Sequence, residues 1–433
     1  MTQLTFPNVK FLENVQSHPN NTFLRQPFQG QWHEYTWKET DRQVRSMAAY
    51  LKGLDLEPGS KIAIISKNCA HWVMSDLAIM MAGYVSVPLY PTISADIIEY
   101  VMTHSEAKVA FVGKLDDWGK QKSGIPTGVQ CISYPFWTED CEANWDEIVA
   151  KTPPIEVPVK RKPEELMTII YTSGTTGLPK GVMHSFHSFS FAIKHAMATM
   201  NDLKNDERFF SYLPLSHIAE RMLVEMGGIY CEASISFAES LETFANDLQS
   251  VRPTIFLAVP RIWTKFQMGI LNKLPQKKLN LLLAIPFVSS IIKNKITTGL
   301  GLDKAKYLLA GAAPLPASTM DWFDKLGMPI CEAYAMTENS AYSHFTRKEF
   351  RKPGFVGQAF PHVEVRISHE GEIQTKSDAN MIGYFKEPEK TAEALLADGY
   401  LCTGDQGIVD KDGFLKITGR IKDIFKTDKG KYV

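Results

Sequence analysis

Apolar runs of strand length alternate with helix-length segments along most of this chain. Lys61–Ile65 and Ile255–Val259 are such runs, and the segments that follow them, Trp72–Gly83 and Arg261–Leu274, are long enough for helices. The alternation continues through Val85–Leu89, Ile97–His104, Val109–Val112, Lys306–Leu309 and Ser318–Leu326. Strands that alternate with helices are typical of layered α/β proteins with largely parallel sheets. The pattern therefore predicts two layered α/β subdomains.

The pattern changes after about residue 350. The short β-like runs Val363–Ile367 and Phe414–Thr418 lie beside Gly/Asp turns, which predicts a small β-rich subdomain. The proline-rich stretch Thr152–Pro158 indicates a linker between the two α/β subdomains. The predicted boundaries are 1–155 for the first α/β subdomain, 156–350 for the second, 351–421 for the β-rich subdomain and 422–433 for a terminal segment.

Composition and charge narrow the class of protein. The chain has 433 residues, of which 44% are hydrophobic and 22% charged, with a net charge of −1. These are ordinary values for a soluble globular protein, and the charge offers no general attraction to nucleic acid. Six scattered cysteines without a C-x-x-C pair indicate free thiols in a reducing cytoplasm. The N-terminus shows no secretory signal, so we expect a cytoplasmic protein.

One apolar segment, Leu279–Ile292, raises the question of a membrane. It is shorter than the roughly 20 residues that a transmembrane helix needs, and Pro286 interrupts it. The flanking lysines are Lys277, Lys278, Lys293 and Lys295. Two interpretations stay open: a buried helical hairpin, which we favour, or a pair of helices that lies on a membrane surface. Peripheral contact with a membrane is therefore part of the prediction.

The run Tyr171–Gly181 carries the most specific chemistry. It follows the strand-like Leu166–Ile170, and eight of its eleven residues are Gly, Ser, Thr or Lys. Backbone N–H groups, hydroxyls and the ammonium group of Lys180 together suit a polyphosphate. The spacing differs from that of the P-loop. A flexible Ser/Gly turn is the alternative, but the order of the residues favours a phosphate site.

This run and seven further segments resemble the motifs of the adenylate-forming superfamily, which includes acyl-CoA synthetases, peptide-synthetase adenylation domains and firefly luciferase. The segments are Ala82–Thr92, Tyr212–Arg221, Gly311–Leu315, Tyr334–Glu338, Gly383–Glu389, Thr403–Asp405 and Gly419–Asp423. They follow the order of the superfamily from about residue 35 to the end of the chain. The resemblance implies that ATP activates a carboxylate as an acyl-adenylate, which most members then transfer to a thiol.

The resemblance also implies roles for individual residues. Thr337 would contact the α-phosphate, Glu338 would bind Mg²⁺, and His217 would lie between the carboxylate and the α-phosphate. The residues implied to hold the phosphates are Thr172, Ser173, Gly174, Thr175, Thr176, Gly177 and Lys180. Those implied to bind the nucleoside are Gly311, Ala312, Ala313, Glu332, Tyr334, Asp405 and Arg420. In most members a glycine follows the aromatic residue, whereas Ala335 stands here, and we expect its methyl group to affect the adenine or acyl site.

Some segments are similar to those of the long-chain acyl-CoA synthetase branch, among them Ser216–Arg221, Val259–Trp263 and Lys429–Val433. This similarity implies that Trp263 is a gate at the mouth of an acyl tunnel. A core tryptophan is the alternative interpretation. The acid is expected to be a medium- to long-chain fatty acid, and the sequence does not fix its length.

The superfamily continues into a C-terminal lid with a second catalytic lysine, and Lys422 stands at the hinge position. We expect the chain to be the large N-terminal portion of a longer protein, with impaired adenylation by itself; a naturally short protein is the alternative. The first hypothesis is a fatty acyl-CoA synthetase that uses ATP, Mg²⁺ and CoA. The alternatives are a ligase that acylates a carrier-protein pantetheine and a non-catalytic nucleotide- or lipid-binding protein. The oligomeric state stays open.

Overall fold

The structure is a computed structural model that describes residues 4–137, 140–172, 177–204 and 206–421. Its strands are β1 Thr22–Phe28, β2 Gln31–Thr36, β3 Lys61–Ile65, β4 Val85–Leu89, β5 Ala107–Val112, β6 Gln130–Ser133, β7 Ala143–Asn144, β8 Leu166–Thr172, β9 Lys180–Ser185, β10 Arg208–Ser211, β11 Ser234–Phe237, β12 Ile255–Ala258, β13 Tyr307–Ala310, β14 Ile330–Tyr334, β15 His344–Phe345, β16 Gln358–Ala359, β17 Glu364–Ile367, β18 Glu372–Lys376, β19 Gly383–Tyr384, β20 Leu401–Val409 and β21 Leu415–Arg420.

The α-helices are α1 Pro7–Ser17, α2 Trp37–Lys52, α3 Ala70–Ala82, α4 Ala95–Ser105, α5 Trp118–Gln121, α6 Trp145–Lys151, α7 Phe186–Thr199, α8 Ile218–Glu220, α9 Gly227–Tyr230, α10 Phe244–Val251, α11 Pro260–Lys273, α12 Gln276–Leu283, α13 Pro286–Leu300, α14 Ala317–Lys325 and α15 Pro388–Ala394. A π-helical segment, Arg221–Met226, joins α8 to α9, and 3-10 turns span Lys122–Gly124 and Thr337–Asn339.

The chain forms two compact units, each with its own core. Unit 1 spans Met1–Leu241 and Asp378–Thr391, and unit 2 spans Glu242–Ser377 and Ala392–Val433; within these bounds only the residues named above are described. The mixed α/β architecture predicted from the alternating pattern is confirmed.

The larger sheet of unit 1 has eight strands in the order β19-β9-β8-β4-β3-β5-β6-β7. Strands β4, β3, β5 and β6 pair in parallel, whereas β8 and β9 form an antiparallel pair at one end. Helix α3 packs on β3 and β4 and is buried along its whole length, as its apolar sequence indicates. Gly83 ends this helix in a left-handed conformation, φ 94°, which glycine adopts without steric cost. The sheet continues across the boundary predicted at residue 155.

Unit 1 also contains the strands β10, β11, β1 and β2, which pair in that order. The ring of Phe23 on β1 stacks on Trp37 at the start of α2, with ring centroids 3.8 Å apart. A capping box between Thr36 and Glu39 begins α2, so its start follows from local sequence alone.

Unit 2 combines a parallel and an antiparallel part. Strands β12, β13 and β14 are parallel, and β15 and β16 continue from β14 as antiparallel neighbours. A separate antiparallel sheet has the order β17-β18-β20-β21. This sheet lies within the β-rich subdomain predicted for residues 351–421.

The apolar segment near residue 280 forms the helical hairpin α12–α13, but the hairpin is not buried. Leu279 is buried, whereas Leu281, Phe287 and Ile291 are exposed, and no residue of α13 is fully buried. The favoured prediction of a buried hairpin is therefore wrong, because the rest of unit 2 covers only the side of α12 on which Leu279 lies. Within the described residues, no helix combines the length and apolar character needed to span a bilayer.

Candidate functional site

The phosphate-loop motif joins the strands β8 and β9 of unit 1. Thr172 pairs with Lys180 and Tyr171 with Gly181, so the two strands diverge at Thr172 and Lys180. Ser173, Gly174, Thr175 and Thr176 lie outside the described residues. Gly177 has a φ of +94°, a conformation that a residue with a Cβ rarely adopts. The motif is therefore the connection of a β-hairpin.

Lys180 places a cation beside this connection. Its side chain is half-buried, and Nζ lies 4.9 Å from the centroid of the Tyr384 ring. No carboxylate of the described chain lies within ion-pair distance of Nζ. An ammonium group that contacts an aromatic face and lacks a counter-ion is available to an anionic ligand.

Helix α4 and a close backbone approach hold the hairpin in place. His104 Nδ1 lies 2.8 Å from the hydroxyl of Tyr171, and the hydroxyl of Tyr100 donates to the carbonyl of Pro179 at 3.3 Å. A Cβ at Gly181 would lie 2.8 Å from Ile169 Cγ2, so any larger residue there would force a neighbouring side chain to shift. These contacts fix both ends of the connection. The two hydrogen-bonded pairs are 67 and 79 residues apart in the chain, so the spacing of residues within a motif could not reveal these contacts.

His217, also in unit 1, is the half-buried N-cap residue of α8. The backbone N–H of Ala219 donates to His217 Nδ1 at 3.1 Å. Burial lowers the pKa of His217 below its usual value, so the ring is neutral at pH 7. Because Nδ1 accepts a hydrogen bond, the neutral ring carries its proton on Nε2. His217 can therefore donate to an anionic oxygen without being charged.

Glu220 anchors the segment that carries His217. Its Oε1 accepts hydrogen bonds from the hydroxyl of Ser211 and from the backbone N–H of Tyr212, both at 3.0 Å. Asn68 Nδ2 donates to the same Ser211 hydroxyl at 2.8 Å. Burial raises the pKa of Glu220 to about 8, so its carboxyl group is mostly protonated at pH 7. Asn68 and Glu220 are 152 residues apart, and local sequence does not indicate this network.

Replacing Glu220 with glutamine should remove one contribution to the pH dependence of stability. Folding raises the pKa of Glu220 from 4.5 to about 8. Its stabilising contribution is therefore complete below pH 4.5 and is lost progressively as the pH rises toward 8. Over this range the free energy of unfolding of the wild type should fall relative to that of Glu220→Gln, as measured by urea unfolding. Glu393→Gln, at an exposed position, should follow the wild type. Parallel profiles for wild type and Glu220→Gln would contradict the raised pKa.

In unit 2, three of the predicted nucleoside-binding residues form a connected group. The hydroxyl of Tyr334 donates to Asp405 Oδ2 at 2.8 Å, and Arg420 Nε donates to Asp405 Oδ1 at 3.1 Å. Asp405 and Arg420 are paired in register on β20 and β21. Burial raises the pKa of Tyr334, so the phenol stays protonated. The group presents an aromatic face, a carboxylate and a guanidinium group together.

The loop after β13 carries Gly311, Ala312 and Ala313, and the two alanines are exposed. Ala312 has a φ of +66°, a left-handed conformation that costs a non-glycine residue about 1 kcal/mol. Glu332 stabilises the loop, because its Oε1 accepts a hydrogen bond from the backbone N–H of Leu315 at 3.1 Å. Burial raises the pKa of Glu332. A small-residue loop held by a buried carboxyl group offers a flat backbone surface to a planar ring.

Thr337 and Glu338 begin the 3-10 turn that follows β14. Asn339 Oδ1 accepts the backbone N–H of Met336 at 2.9 Å and fixes the start of the turn. Glu338 is buried. In the described part of the chain no three His, Cys, Asp or Glu side chains cluster as a metal site. Mg²⁺ commonly takes one or two protein carboxylates and shares phosphate oxygens, so the single Glu338 carboxylate fits this ion. Ala335 lies outside the left-handed region, and its methyl group adds no backbone strain.

Trp263 lies on α11 in the core of unit 2 and is fully buried. Its indole N–H donates to the carbonyl of Leu309 at 3.2 Å, and its ring meets those of Phe256 and Phe323 at 5.8 and 5.2 Å. These contacts match the alternative of a core tryptophan. For Trp263 to act as a gate, its ring would have to break these contacts, and this role stays a prediction. Lys422 lies outside the described residues.

The AMP-binding enzyme family matches residues 11–385. The chain belongs to this family. The adenylate-forming resemblance is thereby confirmed, and enzymes of this family use ATP. Long chain acyl-CoA synthetase 5 of Arabidopsis thaliana is 30% identical to this AMP-binding enzyme over 98% of the chain and 72% of the plant protein. Long-chain-fatty-acid–CoA ligase FadD15 of Mycobacterium bovis is 28% identical over 97% of the chain and 75% of the relative.

Solved structures share the fold of this AMP-binding enzyme. The anthranilate CoA ligase AuaEII, crystallised with anthranoyl-AMP, superposes with a TM-score of 0.84 over 100% of this chain and 81% of its own, at 20% identity. At that identity the likeness establishes the fold and not the substrate.

Proposed function

We propose that this AMP-binding enzyme activates a medium- to long-chain fatty acid with ATP and transfers the acyl group to CoA. The observation that carries the proposal is the similarity, along nearly the whole chain, to relatives named long-chain acyl-CoA synthetases. The products would be acyl-CoA, AMP and pyrophosphate. Carboxylates resist attack by thiols because they are negatively charged and resonance-stabilised, and a phosphoanhydride supplies the leaving group that they lack.

The residues of unit 1 suit the phosphate end of ATP. In the proposal Lys180 and the motif from Thr172 to Gly177 hold the β- and γ-phosphates. A carboxylate oxygen of the fatty acid attacks the α-phosphorus, and the bond to pyrophosphate breaks. The neutral His217 donates through Nε2 to an oxygen of the acid or of the α-phosphate, where charge develops. The hydrogen bond from His217 thus stabilises the pentavalent phosphorus, and His217 does not have to transfer its proton.

The residues of unit 2 suit the nucleoside end. In the proposal the adenine lies between the loop Gly311–Ala313 and the ring of Tyr334, and Asp405 accepts hydrogen bonds from the two ribose hydroxyls. Thr337 contacts the α-phosphate, and Glu338 holds Mg²⁺, which would neutralise phosphate charge. In the second half-reaction the CoA thiolate attacks the acyl carbonyl, the acyl–phosphate bond breaks, and AMP leaves with the electron pair.

Product analysis with a series of acids tests this function. The protein is incubated with ATP, Mg²⁺ and straight-chain acids from acetate to oleate, with either CoA or a holo-carrier protein as acceptor, and thioesters are detected by mass spectrometry. We expect acyl-CoA from the medium- and long-chain acids. Thioester formation on the carrier protein alone would favour the carrier-protein ligase. ATP binding without any adenylate or thioester would favour a non-catalytic protein.

Replacing Asp405 with alanine should weaken ATP binding about tenfold to a hundredfold, because two hydrogen bonds between a carboxylate and the ribose are lost. The affinity for inorganic pyrophosphate should not change, since pyrophosphate has no ribose. Isothermal titration with each ligand measures both values. Asp412→Ala, at an exposed position beyond the end of β20, is the matched control and should bind both ligands normally. Equal losses for ATP and pyrophosphate would contradict the assignment of Asp405 to the ribose.

A further inference from the structure

The three consecutive helices α11, α12 and α13 carry charge of one sign. The stretch Pro260–Leu302 contains no aspartate or glutamate, although the net charge of the whole chain is −1. We call this stretch the basic helical patch. Its cationic residues are Arg261, Lys265, Lys273, Lys277, Lys278, Lys293 and Lys295. This stretch is about a tenth of the chain, and it carries seven positive charges and no carboxylate side chain.

Large apolar side chains are exposed in the same patch. Of the thirteen large hydrophobic residues that are exposed in the described part of the chain, five lie here. They are Met268, Leu281, Ile285, Phe287 and Ile291. Phe287 is 87% exposed. Three of the five lie within three residues of the turn at Ala284–Ile285 between α12 and α13, so the apolar surface is densest at the tip of the hairpin.

Helical spacing puts lysines beside these apolar side chains. Lys277 is four residues before Leu281 on α12, and Lys295 is four residues after Ile291 on α13. Residues four apart lie on the same face of a helix. The long alkyl chain of a lysine can follow an apolar surface and keep its ammonium group at the polar boundary. Each of the two helices therefore carries an exposed apolar side chain with a lysine one turn further from the tip.

The rest of unit 2 holds the hairpin in place. Trp322 on α14 donates to Gln276 Oε1 at 2.8 Å, and Gln249 on α10 donates to the carbonyl of Gly299 at 2.6 Å. These bonds lie near the start of α12 and the end of α13, away from the tip. Leu279 is buried on the inner side. The hairpin is thus anchored at its base and leaves its tip uncovered.

Neighbouring carboxylates do not neutralise the patch. Asp303 pairs with Arg252, and Asp324 pairs with Arg351. Asp321 on α14 is exposed. None of the seven cations forms an ion pair with a carboxylate of the described chain. The positive charge is therefore available to an anionic surface.

From this combination we infer that the basic helical patch docks on the surface of a bilayer that contains anionic phospholipids. Ile285, Phe287 and Leu281 enter the boundary between headgroups and acyl chains, and the lysines contact lipid phosphates. Interfacial helices bind by this sum of apolar burial and attraction to anionic lipid. A second copy of the chain fits the patch less well, because it would bring seven further cations against the first seven. The inference does not depend on the proposed acyl chemistry.

Flotation with vesicles tests the docking. The 433-residue chain is mixed with vesicles of phosphatidylcholine alone or of equal parts phosphatidylcholine and phosphatidylglycerol. We expect binding to the anionic vesicles, weakened by salt. Phe287→Ser should reduce the partition coefficient about tenfold. Lys277→Gln with Lys278→Gln should reduce it about twentyfold on anionic vesicles and leave any binding to phosphatidylcholine unchanged.

Matched controls keep the result interpretable. Leu241→Ser removes a side chain as exposed as Phe287, at 88%, but outside the patch, and should bind vesicles like the wild type. Circular dichroism shows whether each variant is folded. Equal binding to both kinds of vesicle, or full binding by folded Phe287→Ser, would overturn the inference. So would light scattering that shows the patch variants to dissociate a dimer while vesicle binding persists.

Discussion

Replacing Lys180 with alanine should lower the affinity for ATP and for inorganic pyrophosphate about a hundredfold. Lys180 is the first residue of β9, and its ammonium group lies against the ring of Tyr384 without a carboxylate partner in the described chain. A charge-assisted hydrogen bond to phosphate contributes about 1.5–3 kcal/mol. Loss of the cation should also reduce the salt dependence of binding, because one fewer charge is screened.

Isothermal titration with ATP and with pyrophosphate at two salt concentrations measures this effect. Lys162→Ala removes an exposed lysine of the same unit and should leave both affinities unchanged. The expected pattern differs from that of Asp405→Ala, which should affect ATP alone. If Lys180→Ala lost ATP affinity but kept its affinity for pyrophosphate, Lys180 would not contact the terminal phosphates.

Replacing Arg221 with methionine should lower the free energy of unfolding by about 3–5 kcal/mol. Arg221 is fully buried, and its Nη2 donates to both oxygens of Asp76, at 2.7 and 2.6 Å. Its Nη1 donates to the hydroxyl of Thr168 at 2.7 Å. Arg221 Nε also lies 3.3 Å from Glu225, whose pKa burial raises well above its usual value, and the shorter contacts make Asp76 the main ion-pair partner of Arg221. Methionine would leave a buried carboxylate unpaired.

Urea unfolding of three variants tests this prediction. Arg252→Met breaks the partly exposed pair with Asp303 and should change stability little, because solvent screens that pair. The double variant Arg221→Met, Asp76→Leu should recover most of the lost stability, since it leaves no unpaired charge. A loss for Arg221→Met no greater than that for Arg252→Met would show that water reaches the buried pair.

Local features of the chain predicted much of the fold. The Val/Ile-rich runs form the parallel strands β3 and β5, and the run Tyr171–Gly181 joins two strands. Each of these depends on residues within one turn or one strand length. Motif order extended the prediction to Tyr334, Asp405 and Arg420, which the structure brings together although the motifs are far apart in the chain.

Contacts between distant residues could not be predicted in this way. Arg221 and Asp76 are 145 residues apart, and nothing near either indicates the other. The same limit explains the wrong prediction for α12 and α13. An apolar helix has the same periodicity whether another layer covers it or not, so the sequence predicted the two helices and not the exposure of Phe287.

The hairpin of β8 and β9 has an electrostatic consequence. In many nucleotide-binding folds the phosphate loop leads directly into a helix, whose dipole places partial positive charge at the phosphates. Here the connection between Thr172 and Lys180 leads into a strand, and α7 begins only after Ser185. Within the described residues, the element that follows this loop is therefore a strand and not a helix N-terminus. Lys180 places a positive charge beside the loop through its side chain, so this contribution to anion binding depends on the position of one ammonium group rather than on a backbone dipole.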